Sequence, residues 1–416
     1  MIKHDYAHMG CPYFEERLDS GLTIFFVPRK SELKSATVYV GQGGFLHAKE
    51  ILDSRIPFGT AYYLMNQILS SSFKEELCKE GVLSNCDIDY SFVRYSLNTR
   101  KDIYSALESL LLRIAKPCYE EKDIEAFKEK EKVQKREDDA ILLSQKKCLK
   151  NLYLSSPIRF GCIPSYQDSV RIHLSALRKY QETYYTSDKI VLFLSFDEKP
   201  EEVFSTIKKM KLPSPSSIKE NKWNYEEDYN KVKEEYEEIS GNGDSSYLTY
   251  GIKFPGRSII YDSYGEFPFV AYEILLDSIA YSNAVFQDSL RDLRANLIDS
   301  QLKEGGEDTY LLLTFQTEDS TSLISFLTDY FSKLDAKVTQ KDFNALQKKV
   351  FTSALKKISM PNEVCNQFSR AYPNHLAYLY LMNRVSRLNF NSYHRFLMEL
   401  KGFKKSVCFV KKRGGL

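Results

Sequence analysis

The chain alternates short apolar runs with amphipathic stretches, and that alternation predicts most of its elements. Residues 22–28 (LTIFFVP) and 35–41 (SATVYVG) are rich in β-branched and aromatic residues and bounded by turn formers, so both read as strands. From Thr60 to Glu80 the apolar positions move to helical spacing through Ala61, Leu64, Ile68 and Leu69. Pro57 and Gly59 mark the start of this helix and Gly81 its cap. GVLSNCDIDYSFVRYSLN then reads as a third long strand, carried by Ile88, Tyr90, Phe92 and Tyr95. Residues 101–116 are helical and stop before Pro117. The charged stretch 120–154 has sparse apolar positions at Ile124, Phe127 and Val133, and reads as one long, mostly solvated helix or two in tandem. A short helix, a strand over 189–196 and a helix over 200–210 close this part.

Residues 211–224 (KLPSPSSIKENKWN) carry two prolines, three serines and few apolar residues, and form the one convincing linker. The order of elements then begins again. Strands are expected at 247–254, 309–316 and 406–412, and helices at 270–281, 320–334, 340–358 and 362–386. The two halves share element order without residue-level identity. Strands gathered with helices between and after them predict an α+β chain of two similar sandwich domains, 1–212 and 213–416. Each would be a mainly antiparallel sheet with helices on one face.

The helix starting near Thr60 holds the sharpest chemical pattern. Tyr62, Met65 and Asn66 stand at i, i+3 and i+4, so all three share one face. An inverted zinc box, H-x-x-E-H, uses this spacing to hold a metal on two imidazoles beside a catalytic carboxylate. A phenol, a thioether and an amide are poor substitutes for those groups. The three also read as ordinary core packing, with Asn66 bonding a neighbouring backbone group.

Composition narrows the classes further. Of 416 residues, 43% are hydrophobic and 27% charged, as in a globular chain with room for two cores. A net charge of +2 gives no nucleic-acid footprint, and no apolar run reaches the ~20 residues that span a bilayer. The N-terminus lacks an apolar leader core, and eight cysteines without a C-x-x-C pair suggest reduced thiols, hence a cytoplasmic setting. His4 and His8 share helical spacing, but their segment reads as an extended or frayed arm and makes a poor metal site. No serine elbow, phosphate-cradling glycine loop or cysteine-nucleophile signature is present. The six basic residues from Lys401 to Arg413 read as a closing strand with solvated lysines or a contact for an acidic partner.

These segments together resemble the insulinase/pitrilysin family of zinc peptidases, the inverzincins. LDSGLTIFFVP is similar to the family's opening strand and TVYVGQGGF to the second strand before its zinc helix. PFGTAYYLMNQIL aligns with P-x-G-x-A-H-F-L-E-H, and GVLSNCDIDYSFVRYSL with the strand bearing the family's Asn and Tyr, here Asn85 and Tyr95. Glu137 stands where the third zinc ligand would be, although it also reads as a solvated glutamate on a charged helix. The box itself is lost at Tyr62, Met65 and Asn66. In NAVFQDSLRDLRANLID, Arg291 or Arg294 could match the family's substrate-polarising arginine. The positions seven residues on are Ile298 and Gln301, where the family has tyrosine. The resemblance therefore implies a catalytically inactive subunit with no cofactor. It would pair with an active zinc-bearing homologue, as bacterial two-subunit members do, or form a homodimer, enclosing a chamber for short peptides. Asn85, Tyr95 and Arg291 are then the candidate peptide contacts. A stand-alone peptide-binding scaffold, or a peptidase using another site, are the alternatives.

Overall fold

The computed structural model describes the chain except for residues 6–10, 42–55, 91, 134–139, 216–225, 242, 256–274, 276–283, 306–307, 358, 373–387 and 414–416. Its strands form two sheets. The first has seven strands: β1 (Ile2–His4), β2 (Tyr13–Arg17), β3 (Thr23–Pro28), β4 (Lys34–Gly41), β5 (Val82–Ile88), β6 (Phe92–Thr99) and β7 (Ile190–Phe196). They lie in the order β1-β2-β3-β7-β4-β6-β5, antiparallel except for the β3–β7 pair. The second has five: β8 (Tyr236–Gly241), β9 (Tyr247–Pro255), β10 (Asn296–Gly305), β11 (Asp308–Gln316) and β12 (Lys405–Lys412). Their order is β10-β11-β9-β12-β8, with β12–β8 parallel. All strands of the first sheet precede residue 212 and all those of the second follow it.

The helices of eight or more residues are α1 (Thr60–Ile68), α2 (Ser71–Lys79), α3 (Tyr104–Ala115), α4 (Glu121–Val133), α5 (Ala140–Leu152), α6 (Leu174–Tyr184), α7 (Pro200–Lys208), α8 (Ala284–Asp292), α9 (Ser320–Ser332), α10 (Gln340–Lys357), α11 (Pro361–Ala371) and α12 (Phe390–Leu400). The expected α+β architecture of two sheets with packed helices is present. On the first sheet Ile24, Phe26, Ala36, Val38, Val40, Val93, Tyr95, Leu97, Leu192 and Leu194 form one face. They share a core with apolar residues of α1, α3, α6 and α7. The strict alternation along each strand sends these side chains to one side of the pleat.

The opposite face of each sheet is covered by a helix from the other half of the chain. Phe25, Tyr39 and Phe193 of the first sheet meet Phe368 of α11 and Tyr372 just beyond it, with ring centroids 5.4–6.4 Å apart. The Cys365 thiol lies 3.3 Å from the Phe193 carbonyl. On the second sheet α5 meets β9, β11 and β12: Ser144 bonds Thr249 at 2.7 Å, and Gln145 donates to Thr314 at 3.1 Å. A Cβ on Gly251 would come within 2.7 Å of the Cys148 sulfur, so only glycine lets α5 lie this close. Compact units accordingly interleave in sequence. One comprises Met1–Lys130, Cys162–Trp223 and Ser353–Met382, the other Glu131–Gly161, Asn224–Thr352 and Asn383–Leu416.

Several elements differ from the sequence reading. The single helix over Thr60–Glu80 is two, because Ser70 is extended (φ −63°, ψ 160°) and its Oγ caps α2 by accepting the Phe73 N–H. The third long strand is a hairpin, β5 and β6, turning at Asp89 and Tyr90. The segment containing α5 was expected to be mostly solvated, yet Ser144, Gln145, Cys148, Leu149, Asn151 and Leu152 are buried; Ser144 and Gln145 face a polar strip of sheet rather than water. The N-terminal arm is a paired strand, with His4 3.0 Å from Glu15 and stacked on Tyr13. Strands β8 and β10 and helix α12 were not anticipated. Apart from Leu275, the helix expected over 270–281 falls outside the described residues, as do residues 373–386 of the one expected over 362–386.

Candidate functional site

The site is built on α1, which enters from Gly59. That residue holds φ +91°, and a Cβ there would meet Pro164 at 2.5 Å, so the sharp entry into the helix depends on glycine. The C-terminal end is held by Arg113 of α3. Its Nε donates to the Ile68 carbonyl at 2.8 Å and its Nη2 to the Gln67 carbonyl at 3.3 Å, while the guanidinium lies 4.5 Å from the Phe73 ring. Orphan carbonyls at a helix end carry partial negative charge, which a guanidinium satisfies well. The sequence reading passed over Arg113. Its one signal is that it is the lone cation of this helix and stands in the last turn.

Tyr62, Met65 and Asn66 do come together on one face of α1, as their spacing requires. Their environment is that of a core. Tyr62 is 6% exposed and Met65 4%. The Tyr62 ring centroid lies 6.2 Å from that of Phe127 on α4, and Tyr63 meets the same ring edge-on at 4.7 Å. Asn66 Nδ2 donates to the Tyr62 carbonyl at 2.8 Å, within the same helix. A zinc ion does not suit this set: the face supplies a packed phenol, a thioether and an amide already engaged with backbone. Among the described residues no group of three or more His, Cys, Asp and Glu could hold a metal ion. Glu137 lies outside the described residues.

Tyr95 points from β6 into the core and is wholly buried, its hydroxyl 3.1 Å from that of Tyr185. Burial, then the neighbouring Tyr185 hydroxyl, push its pKa well up. Burial likewise raises the Cys86 and Cys118 thiols nearby, so these groups stay protonated and none is an activated nucleophile. Asn85 is exposed on β5, opposite Ser96 of β6. Strand β5 ends its sheet, and among the described residues nothing pairs with its outer side. It holds no proline, lysine or bulge to blunt that edge, and Leu83 on it is 70% exposed.

Arg291 belongs to the other unit, on the last turn of α8. It is exposed, and its Nη1 lies 2.9 Å from Asp288. Arg294 follows in the left-handed region at φ 51°. Ile298 sits at an irregularity in the β10–β11 register and is exposed, while Gln301 of β10 donates to Asp299 at 2.6 Å. The stretch read as helix and turn is thus a helix, a turn and the start of β10.

The two α+β units interleave in sequence, and of the α1 residues at the box spacing Tyr62 and Met65 are packed like a core while Asn66 bonds its own helix. Residues 171–350 match the family model described as the peptidase M16 inactive domain. The chain is 19% identical over 397 residues to the uncharacterised zinc protease YmfH of Bacillus subtilis (strain 168), covering 89% of this chain and 90% of that protein. In fold it is similar to a protease from Helicobacter pylori (TM-score 0.82, 14% identity, 96% of this chain and 100% of that one). A second similar structure is an M16-like peptidase from Alicyclobacillus acidocaldarius (TM-score 0.80, 15% identity, 96% and 98%). Over nearly its whole length the chain is similar to insulinase-family (M16) peptidases, and over residues 171–350 to the inactive domain of that family.

Proposed function

We propose that the chain is a non-catalytic, two-domain subunit that binds extended peptides and pairs with an active insulinase-family homologue carrying an intact H-x-x-E-H. The observation that carries this reading is the state of α1. The frame that aims a zinc box persists, from Gly59 at its entry to Arg113 at its exit, while the box positions hold buried Tyr62 and Met65 and a self-bonded Asn66. A chain relieved of catalysis but kept to the fold of a chamber-forming peptidase still has a surface to match. Its unblunted edge strand β5, with Asn85 exposed on it, suits an extended peptide that adds main-chain hydrogen bonds with little sequence preference. The compartment is the cytoplasm, in keeping with a cysteine set that shows no paired spacing.

The test is a cleavage assay on unstructured peptides with each chain alone and with the two mixed, alongside size-exclusion chromatography. The present chain alone should be inactive, and it should raise kcat/KM of the H-x-x-E-H relative by orienting the scissile bond from a second wall. A relative that is fully active alone, and neither binds nor responds to this chain, leaves the stand-alone peptide-binding scaffold as the reading. Cleavage by this chain alone would point to a peptidase site elsewhere.

A further inference from the structure

Edge strand β5 is held to its sheet on one side only, by β6, so its order depends on a few side chains. One of them is a buried cation that the peptidase resemblance does not account for. Arg94 of β6 is 6% exposed and stands directly across the ladder from Asp87 of β5. Its Nε donates to Asp87 Oδ1 at 3.0 Å, and its Nη2 donates to Oδ2 of the same carboxylate, making a two-pronged pair. Nη1 turns the other way, donating to Asn366 Oδ1 at 2.8 Å and Ser369 Oγ at 3.1 Å on α11. The guanidinium lies 5.0 Å from the Phe92 ring.

This geometry fixes register. Strand side chains alternate between faces, so a slip of β5 by one residue would set Cys86 or Ile88 across from the guanidinium. It would also turn Asp87 toward the apolar side, where those two residues now pack against the core. A buried arginine left without its carboxylate is costly, and among the described residues no other acid is bonded to this one. The pair therefore penalises each slipped pairing, and the bonds to α11 hold Arg94 itself in place. An edge strand in one register presents one fixed row of outward N–H and C=O groups; a slipping edge presents several.

We propose that Arg94 is a positioning residue: through Asp87 it locks the register of edge strand β5, with α11 as its anchor, so that β5 offers a fixed ladder to an extended peptide. This rests on the reading that the β5 edge takes peptides. The test uses the full chain, with Arg94→Lys and Asp87→Asn as variants. The readouts are hydrogen exchange of β5 and of the central strand β7, thermal unfolding, and fluorescence anisotropy with fluorescein-labelled peptides from a casein digest. Both variants should speed β5 exchange about tenfold while β7 is unchanged, and should weaken peptide binding by a similar factor. Adding Asp87→Asn to Arg94→Lys should cause little further loss, because the two act as one lock. Unchanged β5 exchange, or acceleration spread evenly over β5 and β7, overturns the lock. Faster β5 exchange with undiminished binding overturns its role in recognition. A wild-type chain that binds no peptide overturns the peptide reading itself, and with it the positioning role, whatever the exchange data give.

Discussion

At the scale of single residues, the zinc-box face shows how identical spacing can carry either chemistry or packing. Three residues at i, i+3 and i+4 share a face by helical geometry alone. Whether that face holds a metal depends on what the side chains donate and what covers them, here Phe127. Replacing Tyr62→His, Met65→Glu and Asn66→His with Glu137 kept should create zinc affinity with little peptidase activity, since outer-shell orientation is missing. The variant should be less stable than wild type without metal, because a carboxylate enters a buried thioether site, and added zinc should raise its Tm. No zinc-dependent rise in Tm would mean that Glu137 or the helix face is not aligned for a metal. A second residue-scale feature lies in the other unit, where Lys253 and Glu227 are buried together with Nζ–Oε1 at 2.6 Å. Glu227 also accepts the N–H groups of Leu154, Ser155 and Ser156. Burial pushes its carboxyl up, but Lys253 and these backbone donors outweigh that, and its pKa falls below that of an ordinary glutamate. A carboxyl lowered on folding adds stability above its unfolded pKa, and the gain is lost as pH falls through the folded value. Glu227→Gln should therefore cost about 3 kcal/mol at neutral pH, with Lys253 left unpaired, and flatten the acid limb of stability in urea titrations. Equal acid limbs for the two proteins would contradict this account.

At the scale of elements, the departures have local causes. Ser70 ends one amphipathic run and caps the next, since a serine in extended conformation offers Oγ to an orphan N–H more readily than it continues a helix. Periodicity carries straight through that point, so the break was hard to read. The hairpin of β5 and β6 was missed because Asp89 and Tyr90 carry neither glycine nor proline, the usual marks of a turn. Helix α5 was misjudged for a different reason. Its buried face pairs Ser144 with Thr249 and Gln145 with Thr314, polar against polar, which interrupts the apolar stripe of Cys148, Leu149 and Leu152. Gly251→Ala probes this contact, because the new methyl would press on Cys148 and Leu312. It should destabilise the protein by about 2 kcal/mol, the usual range for overpacking, and Cys148→Ala in the same chain should recover part of the loss. Chemical denaturation of the two variants and of the wild type checks this; a neutral Gly251→Ala would show that α5 is free to back away.

At the scale of the whole molecule, each unit is completed by a helix from the other half of the sequence, α11 on the first sheet and α5 on the second. Phe25, Tyr39 and Phe193 would be bare in a chain that ended at residue 212. Fragments 1–212 and 213–416 expressed separately should therefore be aggregation-prone or bind ANS strongly, whereas co-expression should give a soluble pair that elutes together. A soluble, cooperatively unfolding 1–212 fragment would refute this interdependence. The polar strip under α5 predicts milder exposure in the second fragment, whose uncovered face carries Thr249 and Thr314.

The sequence by itself determined the strands with period-two or unbroken apolar runs, the helices with an apolar stripe, the α+β class and the shared face of Tyr62, Met65 and Asn66. Each of these follows from neighbours a few residues apart, whose faces are set by 3.6-residue or two-residue repeats. Tertiary structure alone decided which helix covers which sheet, that Tyr95 is core while Asn85 is exposed, and that Arg94 meets both Asp87 and α11. Arg94 and Asn366 are 272 positions apart. No local repeat encodes such a pair, because their meeting depends on the closing of the sheet and on the helix that lies across it.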